Sequence, residues 1–303
     1  MFEWMKDSTL EDEDFNVEDI EPLIDGFIFS SGITLIASTP KQGKTWLAYG
    51  IALVIANNTD KEHIFYFDMD NPIGVLKERG IDKRFMSHPK VNYTTRSKIP
   101  ISPIEFLKKV AEEAKPKTYE NCVFFLDTIK DFVDVESNAQ ANQFMKYCVM
   151  IRDAGGTVII LHHANISGRG IRGTSVFLDT PDNVFSLTQI SKINKMINYE
   201  LSVTYGRNMV KDCKWSVNTK TLELTTYNAI ETGLKDTDRE AVEKGLVALE
   251  DAEDGLSQSA LIQAMGFGRT DRNGKRIAVE MVGHYWRLEE INSKLSKYYL
   301  LED

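Results

Sequence analysis

The chain has 303 residues, 42% hydrophobic, 27% charged and 10% aromatic, which excludes a wholly disordered, collagenous or coiled-coil chain and suits one large core with a smaller appendage. No apolar run approaches the roughly 18 residues that cross a bilayer, and the opening MFEWMKDSTLEDED has neither a basic start nor an apolar signal core, which predicts a cytoplasmic protein with no membrane partner. The net charge of −9 argues against a nucleic-acid partner only until its distribution is counted, because polyanion binding draws on local excess of Lys and Arg.

Residues 1–25 hold ten acids against Lys6 alone, so the whole excess lies there and the other 278 residues sum to zero. Residues 26–234 carry +4 and residues 235–303 carry −4. The expected domains follow these divisions: an acidic arm over 1–25, a large middle domain over 26–234 and a small domain over 235–303. The arm reads either as solvated chain or as a subunit-contacting segment anchored by Phe2, Trp4, Phe15 and Ile20. Cys122, Cys148 and Cys213 are odd in number and lack metal-ligand spacing, which predicts reduced thiols.

From ITLIAS onward, short apolar runs alternate with amphipathic stretches: KTWLAYGIALVIA, HIFYFDMD, PIGVLKERG, KVNYTT, PIEFLKKVAEEA, CVFFLD, AQANQFMKYCVMIRDA and TVIILHH. Unbroken apolar runs suit strands buried on both faces, and helices between them suit parallel crossovers, so the fold class is α/β with covering helices. After Asn183 the close-spaced NVFSLTQI, MINYELSVTYGRN, KWSVN and TLELTTYN predict an antiparallel extension of that sheet. Beyond Asp236, three helical candidates and two short aromatic strands predict a winged helix-turn-helix whose third helix holds Arg272, Lys275, Arg276 and His284. Since this segment is net acidic, both DNA contact and a structural or oligomerisation role fit it.

Directly after ITLIAS and before a helical run stand Ser38, Thr39, Pro40, Lys41, Gln42, Gly43, Lys44 and Thr45, followed by Trp46. They match the G-x-x-x-x-G-K-[ST] phosphate loop except at the first position, where Ser38 replaces Gly. Successive N–H groups at a helix N-terminus favour a phosphate, and Gly43 permits torsions and close approach that a side chain would block. Lys44 would bridge the β- and γ-phosphates of ATP and the Thr45 hydroxyl would ligate Mg²⁺, so residues 38–46 form the expected nucleotide-binding segment. Val123-Phe124-Phe125-Leu126-Asp127 adds an apolar strand ending in an acid, with Asp127 expected to hold the Mg²⁺ shell through water.

The stretch PLIDGFIFSSGITLIASTPKQGKTWLA resembles the opening of RecA-like ATPases of the plasmid RepA type, the hexameric replicative helicases, and the resemblance extends from about Pro22 to Tyr227. It implies a RecA-like sheet and four further sites. Asp70, in Tyr66-Phe67-Asp68-Met69-Asp70-Asn71-Pro72, stands where the family has a catalytic glutamate; capping of the next helix is its other reading. His163, in Leu161-His162-His163-Ala164-Asn165, looks like the γ-phosphate sensor. The Gly-rich loop with Arg169 and Arg172, and Lys130 after Asp127, fall where the family's channel loops grip single-stranded DNA. Arg207, in Tyr205-Gly206-Arg207-Asn208, is similar to the finger that enters a neighbour's nucleotide site, with Tyr205 in place of the usual lysine; a surface hairpin residue is its other reading.

These readings converge on a Mg²⁺-dependent ATPase acting on single-stranded DNA as a self-assembled ring, with a hexamer and other replication proteins as expected partners. The alternative is a nucleotide-switched DNA-binding, helicase-loading or recombination-mediator ATPase without unwinding activity.

Overall fold

The computed structural model describes residues 20–165, 170–193, 195–227, 236–252, 254–283, 285–292 and 295–300. Phe2, Trp4, Phe15, Arg169 and His284 lie outside the described residues, while Ile20 is 57% exposed. The chain divides into two compact units, one within residues 1–191 and 197–225 and the other within 192–196 and 226–303.

The first unit opens with the antiparallel pair β1 (Pro22–Ile24) and β2 (Ile28–Phe29), which leads into β3 (Ile33–Ser38). There follow α1 (Lys44–Asn58), β4 (His63–Asp68), α2 (Ile73–Glu78), α3 (Ile81–Arg84), β5 (Val91–Thr95) and α4 (Pro103–Glu112). Next come β6 (Cys122–Asp127), α5 (Asn138–Asp153), β7 (Thr157–His163) and α6 (Val176–Asp179). With β8 (Asn183–Ile193), β9 (Met196–Gly206), β10 (Cys213–Asn218) and β11 (Leu224–Thr226) they build a nine-stranded sheet in the order β11-β10-β9-β8-β3-β7-β6-β4-β5. The strands from β8 to β5 in that order run parallel. The remaining strands form the antiparallel extension.

Side-chain alternation splits each central strand between two cores. Ile36, Val123, Phe125, Ile159 and Leu161 pack on the α1 face, whereas Leu35, Phe124, Leu126, Val158 and Ile160 pack on the face covered by α4 and α5. This period of two fixes where polar residues at the strand ends point. Ser38, Asp68, Asp127 and His163 share parity with the α1 face, and His162 falls on the other. Helix α4 begins with a reciprocal Ser102–Glu105 capping box, a feature worth about 1 kcal/mol.

The second unit contains α7 (Asp236–Glu250), β12 (Leu256–Ser257), α8 (Gln258–Ala264), α9 (Arg272–Glu280), β13 (Trp286–Asn292) and β14 (Leu295–Leu300). Its antiparallel sheet has the order β12-β14-β13. The Trp286 indole is fully buried and donates to the Ala278 carbonyl at 2.9 Å, which locks α9 to the sheet. A Cβ on Gly274 would lie 2.8 Å from Ile262, so the glycine sets how closely α9 crosses α8. Two details differ from expectation: the short strand β12 precedes α8, and the third helix stops at Glu280 instead of reaching residue 284. Among the described residues, no helix is long and apolar enough to cross a membrane.

Candidate nucleotide site

The carboxyl ends of β3, β6, β7 and β4 converge beside the N-terminus of α1, where open α/β sheets bind ligands. Gly43, the N-cap of α1, has φ 76°, and a Cβ there would stand 2.8 Å from the Tyr199 hydroxyl. That hydroxyl donates to the Gly43 carbonyl at 2.8 Å, while the Gln42 side chain accepts from the Gln189 N–H at 2.8 Å. The loop is thus tethered to β8 and β9, a link invisible in its own sequence. Lys41 is exposed at φ 66°, Thr39 is half-buried and Pro40 exposed. Trp46 lies under the Arg79 guanidinium, 5.5 Å from its ring centre.

Lys44 is buried and donates to the Ser38 hydroxyl at 2.9 Å; that hydroxyl in turn donates to the Thr39 carbonyl at 2.9 Å. Ser38, the departure from the phosphate-loop pattern, is therefore a satisfied partner of the key lysine. Burial lowers the Lys44 ammonium to about 8, opposed by the attraction of Asp127. His163 Nδ1 stands 3.4 Å from Lys44 Nζ, and burial followed by the lysine charge lowers its imidazole to about 4, so at neutral pH it is uncharged.

Thr45 Oγ1 donates to Asp127 Oδ2 at 2.9 Å, and the Tyr66 hydroxyl donates to the same oxygen at 2.9 Å. Asp127 Oδ1 is buried with no hydrogen-bond partner. Burial, reinforced by neighbouring Asp68, raises the Asp127 carboxyl to about 7. An unpartnered carboxylate oxygen beside a threonine hydroxyl fits a Mg²⁺ ion that takes few protein ligands and fills its octahedron with phosphate oxygens and water. Among the described residues, no group of three or more His, Cys, Asp or Glu is placed to hold a metal ion.

Asp70 is exposed just beyond β4, and its carboxylate meets the Lys130 ammonium at 3.1 Å. Residues expected to serve hydrolysis and DNA thus touch each other. His162 takes the opposite face, almost fully buried, its ring against Phe177 and its Nε2 2.7 Å from the Arg172 carbonyl. The Arg172 N–H donates to the His163 carbonyl at 3.1 Å, and Ala164 bridges Ile171, so the arginine segment hangs directly from the end of β7. Arg172 pairs with Glu136 at 3.3 Å on the surface. A cleft of about 170 Å³ opens between Lys130, Val133, Val135, His162, His163 and Arg172.

Arg207 is not part of this assembly. Its guanidinium pairs with Asp182 Oδ1 at 2.8 Å, and Asp182 Oδ2 accepts the Ile33 N–H at 2.8 Å where β3 begins. The finger candidate therefore sits at the amino edge of the sheet, one strand length, roughly 17 Å, from the phosphate loop at the carboxyl edge.

Asp68, Tyr66 and Tyr93 also belong to this assembly, although no motif singles them out. A signal was present, because HIFYFD repeats the pattern of CVFFLD, an apolar run ending in an acid. Asp68 pairs in register with Asp127 and is completely buried.

No protein-family model matches the chain, and no curated protein matches it. Among solved structures, the "ATPase Domain of G40P" is similar over 71% of this chain and 95% of that chain, with a TM-score of 0.53 at 12% identity. That likeness, together with the mostly parallel sheet, shows that the chain has a RecA-like fold.

Proposed function

We propose that this protein is a Mg²⁺-dependent ATPase that works as a ring oligomer on single-stranded DNA, of the RepA-type replicative helicase kind. The observation that carries the reading is the meeting of Lys44, Thr45, Asp127 and His163 at the carboxyl edge of one sheet. Lys44 would neutralise the β- and γ-phosphates, and Thr45 and Asp127 would hold the ion, which supplies charge neutralisation on the transferring phosphoryl group. Asp70 would orient the attacking water. In-line displacement needs little covalent help, only placement and charge. His163, uncharged and beside Lys44, would sense the γ-phosphate, and the arginine segment hydrogen-bonded to its strand would carry that change to Arg169 and Arg172 on DNA. Arg207, too far from its own phosphate loop, would serve a neighbouring subunit's site.

Lys130 bears on coupling. An exposed ion pair is worth about 1 kcal/mol or less, so a DNA phosphate can compete with Asp70 for this lysine and release the carboxylate for hydrolysis. The test is ATP turnover with and without short single strands, strand displacement, and oligomeric mass under the same conditions. A monomer in every condition would defeat both the ring and the shared site.

A second reading, a nucleotide-switched duplex-binding protein, is favoured by the second unit. Its order α7-β12-α8-α9-β13-β14 with sheet order β12-β14-β13 suits a winged helix, and α9 exposes Arg272 and Lys275. Arg276 is engaged by Asp238 and Glu280. Salt-sensitive duplex binding lost on deleting residues 235–303, without strand displacement, would favour this reading.

A further inference from the structure

Asp68 ends β4 beside Asp127, two carboxylates on neighbouring parallel strands in register and on the same face. Its Oδ1 accepts the Asp70 N–H at 3.1 Å, the Asn71 N–H at 2.9 Å and the Asn71 side-chain amide at 3.2 Å. Its Oδ2 accepts the same Asn71 amide at 3.0 Å and the Tyr93 hydroxyl. Tyr93 spends its hydrogen on Asp68, so at the 2.8 Å contact between hydroxyls Tyr49 is the donor to Tyr93. Tyr49 lies one turn beyond Thr45 on the same face of α1. Helix α1 therefore reaches both carboxylates, Asp127 through Thr45 and Asp68 through Tyr49 and Tyr93.

We propose that Asp68 is a positioning residue of this site, a buried carboxylate that fixes the backbone of Asp70 and Asn71 and so aims Asp70 at the attacking water. The inference rests on Asp70 orienting that water in an ATPase. Two features separate this arrangement from an ordinary turn. Burying a second carboxylate next to Asp127 is unfavourable, and a turn alone needs only one acceptor oxygen. Here both oxygens are used, one gripping the segment that carries Asp70 and the other anchored through two tyrosines to the helix that begins at Lys44. The lateral hold on the Asp70 side chain, from Lys130, is exposed and weak; the backbone hold from Asp68 is buried and persists when that pair opens.

The experiment compares Asp68→Ala, Asp68→Asn, Tyr93→Phe, Asp70→Ala and Lys44→Ala in the full chain, reading kcat, KM, and affinity for a slowly hydrolysed ATP analogue. A misplacement of about 1 Å costs on the order of 100-fold in rate, so Asp68→Ala should lose roughly 10- to 100-fold in kcat with affinity unchanged. Asp68→Asn, which keeps only one acceptor oxygen, should still lose about three- to fivefold in kcat, and Tyr93→Phe, which frees the other oxygen, about two- to threefold. Should Asp68→Ala fail to fold, wild-type kcat in both conservative variants overturns the proposal. It is likewise overturned if Asp68→Ala turns over normally while Asp70→Ala is inactive, or if its defect lies in affinity alone; the ATPase reading survives both results. Undiminished turnover in Lys44→Ala would instead remove the ATPase reading itself.

Discussion

Arg207 and Asp182 form an ion pair of 2.8 Å at the edge of the sheet opposite the phosphate loop, where Asp182 also holds the first N–H of β3. A guanidinium in that place cannot reach the phosphate loop of its own chain. Arg207→Ala should therefore cut ATP turnover by at least about 10³-fold, the scale of an arginine finger, while leaving nucleotide affinity largely intact. Lys44→Ala should abolish turnover in the same assay. Mixing the two variants should restore part of the activity, because an intact Arg207 then faces an intact Lys44 across some interfaces. Absence of restoration in oligomers shown to be mixed would remove the shared site.

Asp127 gives a stability prediction with a definite sign. Its carboxyl lies near 7 in the folded protein against about 3.9 in an unfolded chain, so between those values the native state binds the extra proton. The cost of the buried charge is absent at the acid end, grows as pH rises, and is complete above 7. Asp127→Asn preserves the acceptor that Thr45 and Tyr66 use and cannot ionise. In nucleotide-free, Mg²⁺-free buffer its Tm should match wild type near the acid end and exceed it by several degrees at pH 8, with turnover lost. A Tm difference that stays constant from pH 5 to pH 8 would contradict the assignment.

On the proposed function, the Lys130–Asp70 pair links ATP turnover to DNA binding. Lys130→Ala should raise basal ATP turnover by about two- to fivefold, the scale of a weak exposed pair, and should lose most of the stimulation by single-stranded DNA. Turnover assays across a salt titration would check this, since a wild-type response based on phosphate contact falls steeply with salt. Unaltered stimulation in the variant would show that DNA acts elsewhere.

Gly274 tests the second unit separately. A side chain there meets Ile262 and Phe267 inside normal contact distance, so Gly274→Val should destabilise that unit by about 1–3 kcal/mol. ATP turnover, proposed for the first unit, should persist. Calorimetry would show one transition moving down with the other unmoved; a shift of both would mean that the units unfold together.

The local framework is legible in short stretches of the chain. ITLIAS, CVFFLD and TVIILHH coincide with β3, β6 and β7 because strands buried on both faces must be continuously apolar, and turn residues or polar strand ends stop them. The phosphate loop was legible for the same reason, since its geometry is contained in eight consecutive residues, and parity along β7 separates His163 from His162. Whatever depends on strand order emerges only in the folded sheet. Placing β6 beside β4 set Asp68 against Asp127, brought Lys130 to Asp70, and left Arg207 bound to Asp182 at the far edge. Each of those contacts joins segments at least 25 residues apart, and no local periodicity encodes which buried strands become neighbours.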